Sequence, residues 1–327
     1  MSFVFNVEGN GNSQVSNDNR PKVDWEALNQ HVIDAAGTQN ESKAEIGIIT
    51  GIIDLGLQVQ EDARMEWKGD AASEEEELAK NPNQYFETLP NDKGVPTRYK
   101  RWQVKPCQQV AITVDFPSIL VNKGQFFGDE NAQPLPLRML LNGEFYLKDV
   151  GKVVGKPYNI KEVKQADGSW AFKNNTQLHK LAAATGVLNE KGFFKPGMLG
   201  NLIGKAALFD IQVFLKKGSD GKSYFNENIK LSGKIPQIMV PMIPEIDKSL
   251  LFGVNFKGEQ DTAVLKNLRQ SVINTMKQAV NFEGSDIQKA LGEAATQQPK
   301  QQEVKPVQQP TKIIELHEDD FDDSLPF

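Results

Sequence analysis

The chain has 327 residues, 39% hydrophobic and 24% charged, with 37 Lys and Arg against 43 Asp and Glu. That length admits one large domain or two ordinary ones with a real core, and no apolar run is long enough to cross a bilayer. A lone Cys107 excludes an internal disulfide, and three scattered histidines (His31, His179, His317) argue against a Cys/His zinc site or a histidine-activated nucleophile.

The opening Met1-Ser2-Phe3-Val4-Phe5-Asn6 has no basic stretch followed by a long apolar one, so no secretory leader is expected. With the single thiol, this points to a reducing, cytoplasmic compartment, in a bacterial cell or its phage-infected equivalent, and to no cofactor or metal. Gly151–Lys156 and Gly200–Ala206 resemble phosphate loops at a glance. Both have the wrong glycine spacing and lack the Ser or Thr after Lys that holds magnesium.

Charge is segregated along the chain. Residues 1–97 carry 7 basic and 18 acidic side chains, a net of −11; residues 98–234 carry 21 and 11, a net of +10; residues 235–327 carry 9 and 14, a net of −5. A basic middle between acidic ends is the pattern of a chain whose middle faces a polyanion.

Residues 1–43 read as an N-terminal arm followed by a short helix, capped by Asp24 ahead of Trp25 and ending near Gly37. From residue 44 to 244 the pattern is that of strands. Glu45–Val59 is rich in isoleucine and interrupted by three glycines, which suits a long, bent strand. An acidic insertion near 70–95 contains Glu74–Glu77, with room for one helical turn. Val110, Ile112, Val114 and Phe116 alternate, as do Phe209, Ile211, Val213 and Leu215, and Phe225, Glu227, Ile229 and Leu231 alternate with Tyr224, Asn226, Asn228 and Lys230 on the other face. Asp167-Gly168 and Asp220-Gly221 are hairpin signals, and Gln177–Thr185 reads as a helix stopped by Gly186. The resulting fold class is mainly β with added helices. The order of three strand regions, a helix and two more strands matches the five-stranded Greek-key barrel of the OB-fold, with insertions.

Residues 245–295 form a C-terminal helical segment. Val264, Leu265, Leu268, Val272 and Met276 fall on one face of a helix spanning Thr262–Val280, which packs on the barrel or on a second subunit of a homo-oligomer. Residues 296–327 are a Gln/Pro/Lys-rich linker, expected to be disordered, and an acidic tip.

That tip, Asp320-Phe321-Asp322-Asp323-Ser324-Leu325-Pro326-Phe327, resembles the C-terminal end of bacterial single-stranded DNA-binding proteins, Asp-Phe-Asp-Asp-Asp-Ile-Pro-Phe. Ser324 replaces an Asp and Leu325 an Ile, and the preceding tether is also similar. The resemblance covers the linker and tip alone. The chain is far longer than a typical bacterial member and does not open with that family's barrel, so it looks more like a phage or plasmid type with a diverged OB core. The resemblance implies recruitment of replication, recombination and repair proteins through the tip. Physically, Phe327 can fill an apolar pocket while its carboxylate pairs with a cation at the rim, and Asp320, Asp322 and Asp323 steer it there. Without DNA, residues 318–323 are also expected to occupy a basic groove as a polyanion mimic.

Binding single strands without sequence preference needs cations for the backbone and rings for the bases. The densest such cluster is Arg98-Tyr99-Lys100-Arg101-Trp102 with Lys105. Arg138 with Tyr146 and Lys148, Lys156 with Tyr158, Trp170 with Lys173, and Lys216, Lys217 and Lys222 with Tyr224 extend it. Lys123 with Phe126 and Phe127 belongs to the same pattern, although both rings equally suit a core. Trp67 sits in an acidic neighbourhood and is weaker. The expected function is a non-enzymatic protein that coats and protects single-stranded DNA in replication, recombination and repair. The alternatives are a phage recombination or annealing factor, or a nuclease, carrying a borrowed docking tip, and a protein-only adaptor. A nuclease needs carboxylates converging on magnesium, for which the candidates Asp115, Glu144, Asp210 and Glu227 are isolated in sequence.

Overall fold

The computed structural model describes residues 23–129, 131–147, 151–218 and 221–296, with backbone alone for 144–147, 151–154 and 294–296. The expected N-terminal arm up to residue 22 and the linker and tip from 297 onward lie outside the described residues, as does Asp220 of the second hairpin signal.

Helix α1 (Trp25–Ala36) starts where the Asp24 carboxylate accepts from Ala27 N and stops at Gly37, whose left-handed φ of 66° favours glycine. Its buried stripe, Leu28, Val32, Ile33 and Ala36, packs toward the strands that follow. The chain then runs through β1 (Lys43–Gln58), β2 (Ala63–Glu66), α2 (Ala71–Lys80), β3 (Gln84–Pro90), β4 (Pro96–Trp102), β5 (Cys107–Val121), β6 (Leu135–Leu140), β7 (Glu144–Leu147) and β8 (Gly151–Val154). It continues as β9 (Tyr158–Asn159), β10 (Glu162–Lys164), β11 (Trp170–Phe172), α3 (Gln177–Thr185), β12 (Ala206–Lys217), β13 (Ser223–Gly233) and β14 (Phe252–Val254). Helices α4 (Thr262–Lys266), α5 (Gln270–Lys277) and α6 (Asp286–Thr296) close the described chain. The protein is thus mainly β with added helices.

Nine strands form the main sheet, in the order β6-β5-β1-β12-β13-β7-β8, with β14 alongside β1 and β9 alongside β5. A closed five-stranded barrel is not what these ladders draw. The path starts at β6 and ends at β8, and no strand pairing among the described residues joins the two ends. β1 changes partners along its length: Lys43–Ile48 pair with β12, while Ile48–Gln58 pair with β5 and Gly51–Ile53 also take β14 in parallel.

This central pairing is buried on both faces. Ile49, Ile52, Ile112 and Val114 belong to one core with α1 and α3, whereas Ile53, Leu55 and Ala111 belong to a second core with Val254, Leu265, Val272 and Met276. A strand with two dry faces has no polar side to alternate, hence a run from Ile46 to Leu57 in which Thr50 and Asp54 are the polar exceptions. Its glycines let the cores approach. A Cβ at Gly47 would come within 2.5 Å of Val114 and 2.8 Å of Phe116 and Phe209, and Gly56, at φ +80°, sits against Phe256 and Ala279.

Two expectations about the helices need correction. The acidic insertion holds a ten-residue helix, α2, started by Asp70, which accepts from the backbone N and hydroxyl of Ser73. The span Thr262–Val280 is two short helices, broken where the Asn267 side chain turns back to the carbonyl of Ala263 and Arg269 leaves the helix to cap the next. Leu265, Val272 and Met276 nevertheless share the buried side, with Val264 and Leu268 half-buried beside them.

Candidate nucleic-acid interface

Between β1 and β5 the chain builds a separate arm, a three-stranded antiparallel sheet ordered β2-β4-β3 with α2 on one face. The cluster Arg98–Trp102 is its central strand, and strand alternation divides the cluster between two faces. Arg98, Lys100 and Trp102 point to the α2 side, in register with Thr88, Phe86 and Gln84. Tyr99 and Arg101 point to the other.

On the α2 side the cations are engaged. Arg98 donates two hydrogen bonds to Glu74, Nε at 2.9 Å and Nη2 at 2.6 Å, and Lys100 donates to Glu77 at 3.0 Å. The hydrogen bond from Arg98 holds the Glu74 carboxyl below its usual range, and that from Lys100 does the same for Glu77. Beneath them lie two rings. Arg98 stands 5.9 Å from the Phe86 centroid, Lys100 5.7 Å from that of Trp67, and the two rings are 5.0 Å apart.

The face away from α2 carries two cross-strand rows. Arg64, Arg101 and Tyr85 form one, and Glu66, Tyr99 and Glu87 the other. Arg64 lies 5.5 Å over Tyr99, and Arg101 lies 5.6 Å over Tyr85 while pairing with Glu87 at 2.7 Å. The Tyr85 hydroxyl donates to Asp62 at 2.8 Å, and burial followed by that carboxylate raises its phenol above the ordinary value. Arg64 and Tyr85 are exposed, and Tyr99 and Arg101 half-buried. This face therefore alternates cations with rings, the chemistry that holds phosphates and stacks bases, although three carboxylates accompany it. Sequence reading missed Arg64 and Tyr85. For Tyr85 the signal is the β-prone run Tyr85-Phe86-Glu87-Thr88, which marks a strand in what otherwise reads as polar insertion; Arg64, on β2, has no comparable signal around it.

The other expected residues are dispersed. Trp102 is half-buried between Ala63 and Gln84, and Lys105 is exposed on the connection to β5. Lys216 and Lys217 are exposed at the end of β12, and Lys216 is directly opposite Tyr224 of β13. Trp170 is 56% exposed on the β10–β11 hairpin, opposite Lys164. Lys156 is exposed, and its carbonyl accepts from Asn142. Tyr146 lies on β7, its side chain outside the described residues, and Lys148 is outside them altogether. The protein-interaction tip Asp320, Phe321, Asp322, Asp323, Leu325, Pro326 and Phe327 is likewise outside.

Two expected contacts have structural partners instead. Arg138 grips the buried Asp115 through Nε at 2.7 Å and Nη2 at 2.8 Å and donates to the carbonyl of Leu250, with Phe252 packed on its guanidinium. Tyr158 packs against the first core, its hydroxyl donating to Asn142 at 3.3 Å, and burial pushes its phenol far above the ordinary value.

Among the carboxylates weighed for magnesium, Asp115 is neutralised by Arg138 and Glu227 by Arg269, while Asp210 is exposed. The Glu144 side chain is outside the described residues, and among the described residues no three His, Cys, Asp or Glu side chains group as a metal site. No helix among the described residues is long and apolar enough to cross a membrane. No protein-family model matches the chain, and neither a curated protein nor a solved structure matches it.

Proposed function

We propose that this is a single-stranded DNA-binding protein of DNA replication, recombination and repair, built on a diverged OB core and reaching its protein partners through the acidic tip. The strand succession supports the OB reading. The run β6-β5-β1-β12-β13 has the order third, second, first, fourth, fifth of that Greek key, and α3 falls between the third and fourth. On that assignment the arm is the loop between the first and second strands, and the β12–β13 turn is the loop between the fourth and fifth. Those are the two loops through which OB-folds hold oligonucleotides.

The observation that carries the reading is the face of the arm away from α2, where Arg64 over Tyr99 and Arg101 over Tyr85 set cations and rings side by side. Bases stack on the tyrosines while the Arg64 guanidinium, with Lys105 and the Lys216, Lys217 and Tyr224 hairpin, follows the backbone, and Arg101, paired with Glu87, backs the Tyr85 ring. The tip then stays near the bound strand on its tether and presents Phe327 to partners at high effective concentration.

The test is fluorescence anisotropy of labelled oligo-dT at two salt concentrations. Binding is expected to weaken by about 0.7 log units per phosphate neutralised for each tenfold rise in salt. Tyr99→Ala and Tyr85→Ala are each expected to lower affinity by roughly 1–3 kcal/mol with little change in that slope, and Arg64→Ala to flatten it. Absence of oligo-dT binding at low salt would overturn the reading.

A further inference from the structure

The face of the arm under α2 has the same chemistry as the face away from it, but there both cations, Arg98 and Lys100, are paired with carboxylates of a single helix, whereas Arg64 on the other face keeps its place over a ring. We propose that this covered face is a second, latent site for the phosphodiester backbone of a single strand, opened when α2 lifts and Arg98 and Lys100 exchange Glu74 and Glu77 for phosphates. The inference rests on the single-strand reading above and names a further site for that same ligand.

Three observations converge on it. First, α2 has no buried residue, so little apolar surface holds it down. Its hold on β4 runs through the two ion pairs, both of them part-exposed and therefore weakened by salt. Second, the side chains it covers are two cations and two rings, Arg98, Lys100, Trp67 and Phe86, in mutual contact. A purely structural helix contact has no need of that combination, whereas a single-strand site does. Third, the Nε1 of Trp67 is buried without a hydrogen-bond acceptor among the described residues. An indole donor left unsatisfied in the closed arrangement is a group that an incoming phosphate or base oxygen can satisfy.

The helix also carries its own control. Four glutamates run from Glu74 to Glu77, yet Glu74 and Glu77 reach the sheet while Glu75 and Glu76 are exposed. Replacing either pair by glutamine removes the same charge from the same helix. In oligo-dT titrations of the full chain across several salt concentrations, E74Q/E77Q is expected to bind roughly tenfold tighter at low salt. Its salt slope should be steeper by about 1.4, two further phosphates. E75Q/E76Q should change affinity far less and leave the slope in place. Ala72→Gly, which loosens α2 without altering charge, should tighten binding by up to about fivefold. Equal tightening by the two glutamine pairs would reduce the effect to net charge and overturn the latent site. So would a wild-type protein that binds oligo-dT with the same affinity and slope as E74Q/E77Q and Ala72→Gly. Failure of the wild type and of every variant to bind would instead overturn the single-strand reading itself.

Discussion

Arg269, at the N-cap of α5, donates from Nη1 to Oε2 of Glu227 on β13 at 2.5 Å, and its Nη2 reaches the carbonyl of Arg138 on β6 at 2.6 Å. One guanidinium thus ties together two strands, β6 and β13, that no ladder joins among the described residues. The Glu227 side chain is only 3% exposed, so Arg269 offsets the cost of burying its carboxylate.

Arg269→Ala therefore strands a buried carboxylate and an unpaired strand carbonyl. It is expected to lower stability by about 3–5 kcal/mol in urea denaturation. Adding Glu227→Gln should recover part of the loss, because the second change removes the charge that the first left without a partner.

Arg138→Ala separates stability from binding. The Asp115 carboxylate, held also by the Thr50 hydroxyl at 2.9 Å, loses its bidentate partner, and unfolding free energy should fall by about 3–5 kcal/mol. Because the guanidinium is committed to Asp115 and Leu250, the salt slope of oligo-dT binding at a temperature where the variant is folded should not change. A flatter slope would return Arg138 to the DNA-binding set.

Asp54 gives a pH signature. Burial raises its carboxyl above the ordinary 3.8, against hydrogen bonds from Gly56, Phe256 and Gln108 that lower it. The folded state thus holds the proton more tightly than the unfolded chain. This contribution to stability is full below 3.8 and is lost as pH rises through the elevated value. Asp54→Asn should be more stable than the wild type at pH 7 by thermal melting, with the difference shrinking as the pH approaches 3.8.

Cys107 should be inert in the native protein. It is buried, its thiol faces the carbonyl of Ile160 at 3.6 Å, and burial raises its pKa. Iodoacetamide at pH 8 is expected to leave it unmodified until denaturant is added, whereupon one equivalent reacts. Rapid labelling of the folded chain would contradict this burial.

Locally coded elements were the ones that sequence reading located. Asp24 and Gly37 bracket α1, Thr176 and Gly186 bracket α3, and Gly168 with φ 82° turns the β10–β11 hairpin. Along β12, Phe209, Ile211 and Val213 are buried as their alternation implies. What escaped depends on partners distant in the chain. The long strand at Glu45–Val59 was legible as β1, but not that its two faces meet two separate cores. The helical pattern of 262–280 continues through a break made by Asn267 and by Arg269 reaching across to β13. The cationic run 98–102 reads as one patch, yet a strand's two-residue period divides it, and the glutamates that neutralise Arg98, Lys100 and Arg101 lie 24, 23 and 14 residues upstream. Arg138 and Tyr158 look like binding residues until the fold supplies Asp115 and a core.

The double burial of β1 also bears on where the chain can be cut. Residues 245–296 look like an appendix after the last long strand, but β14 and the helices behind it roof one whole side of the central ladder. A fragment stopping at residue 244 would leave Ile53, Leu55 and Ala111 facing water on a continuous greasy shelf. Such a piece should clump rather than behave as a minimal unit, because the C-terminal helices share a core with the strands before them.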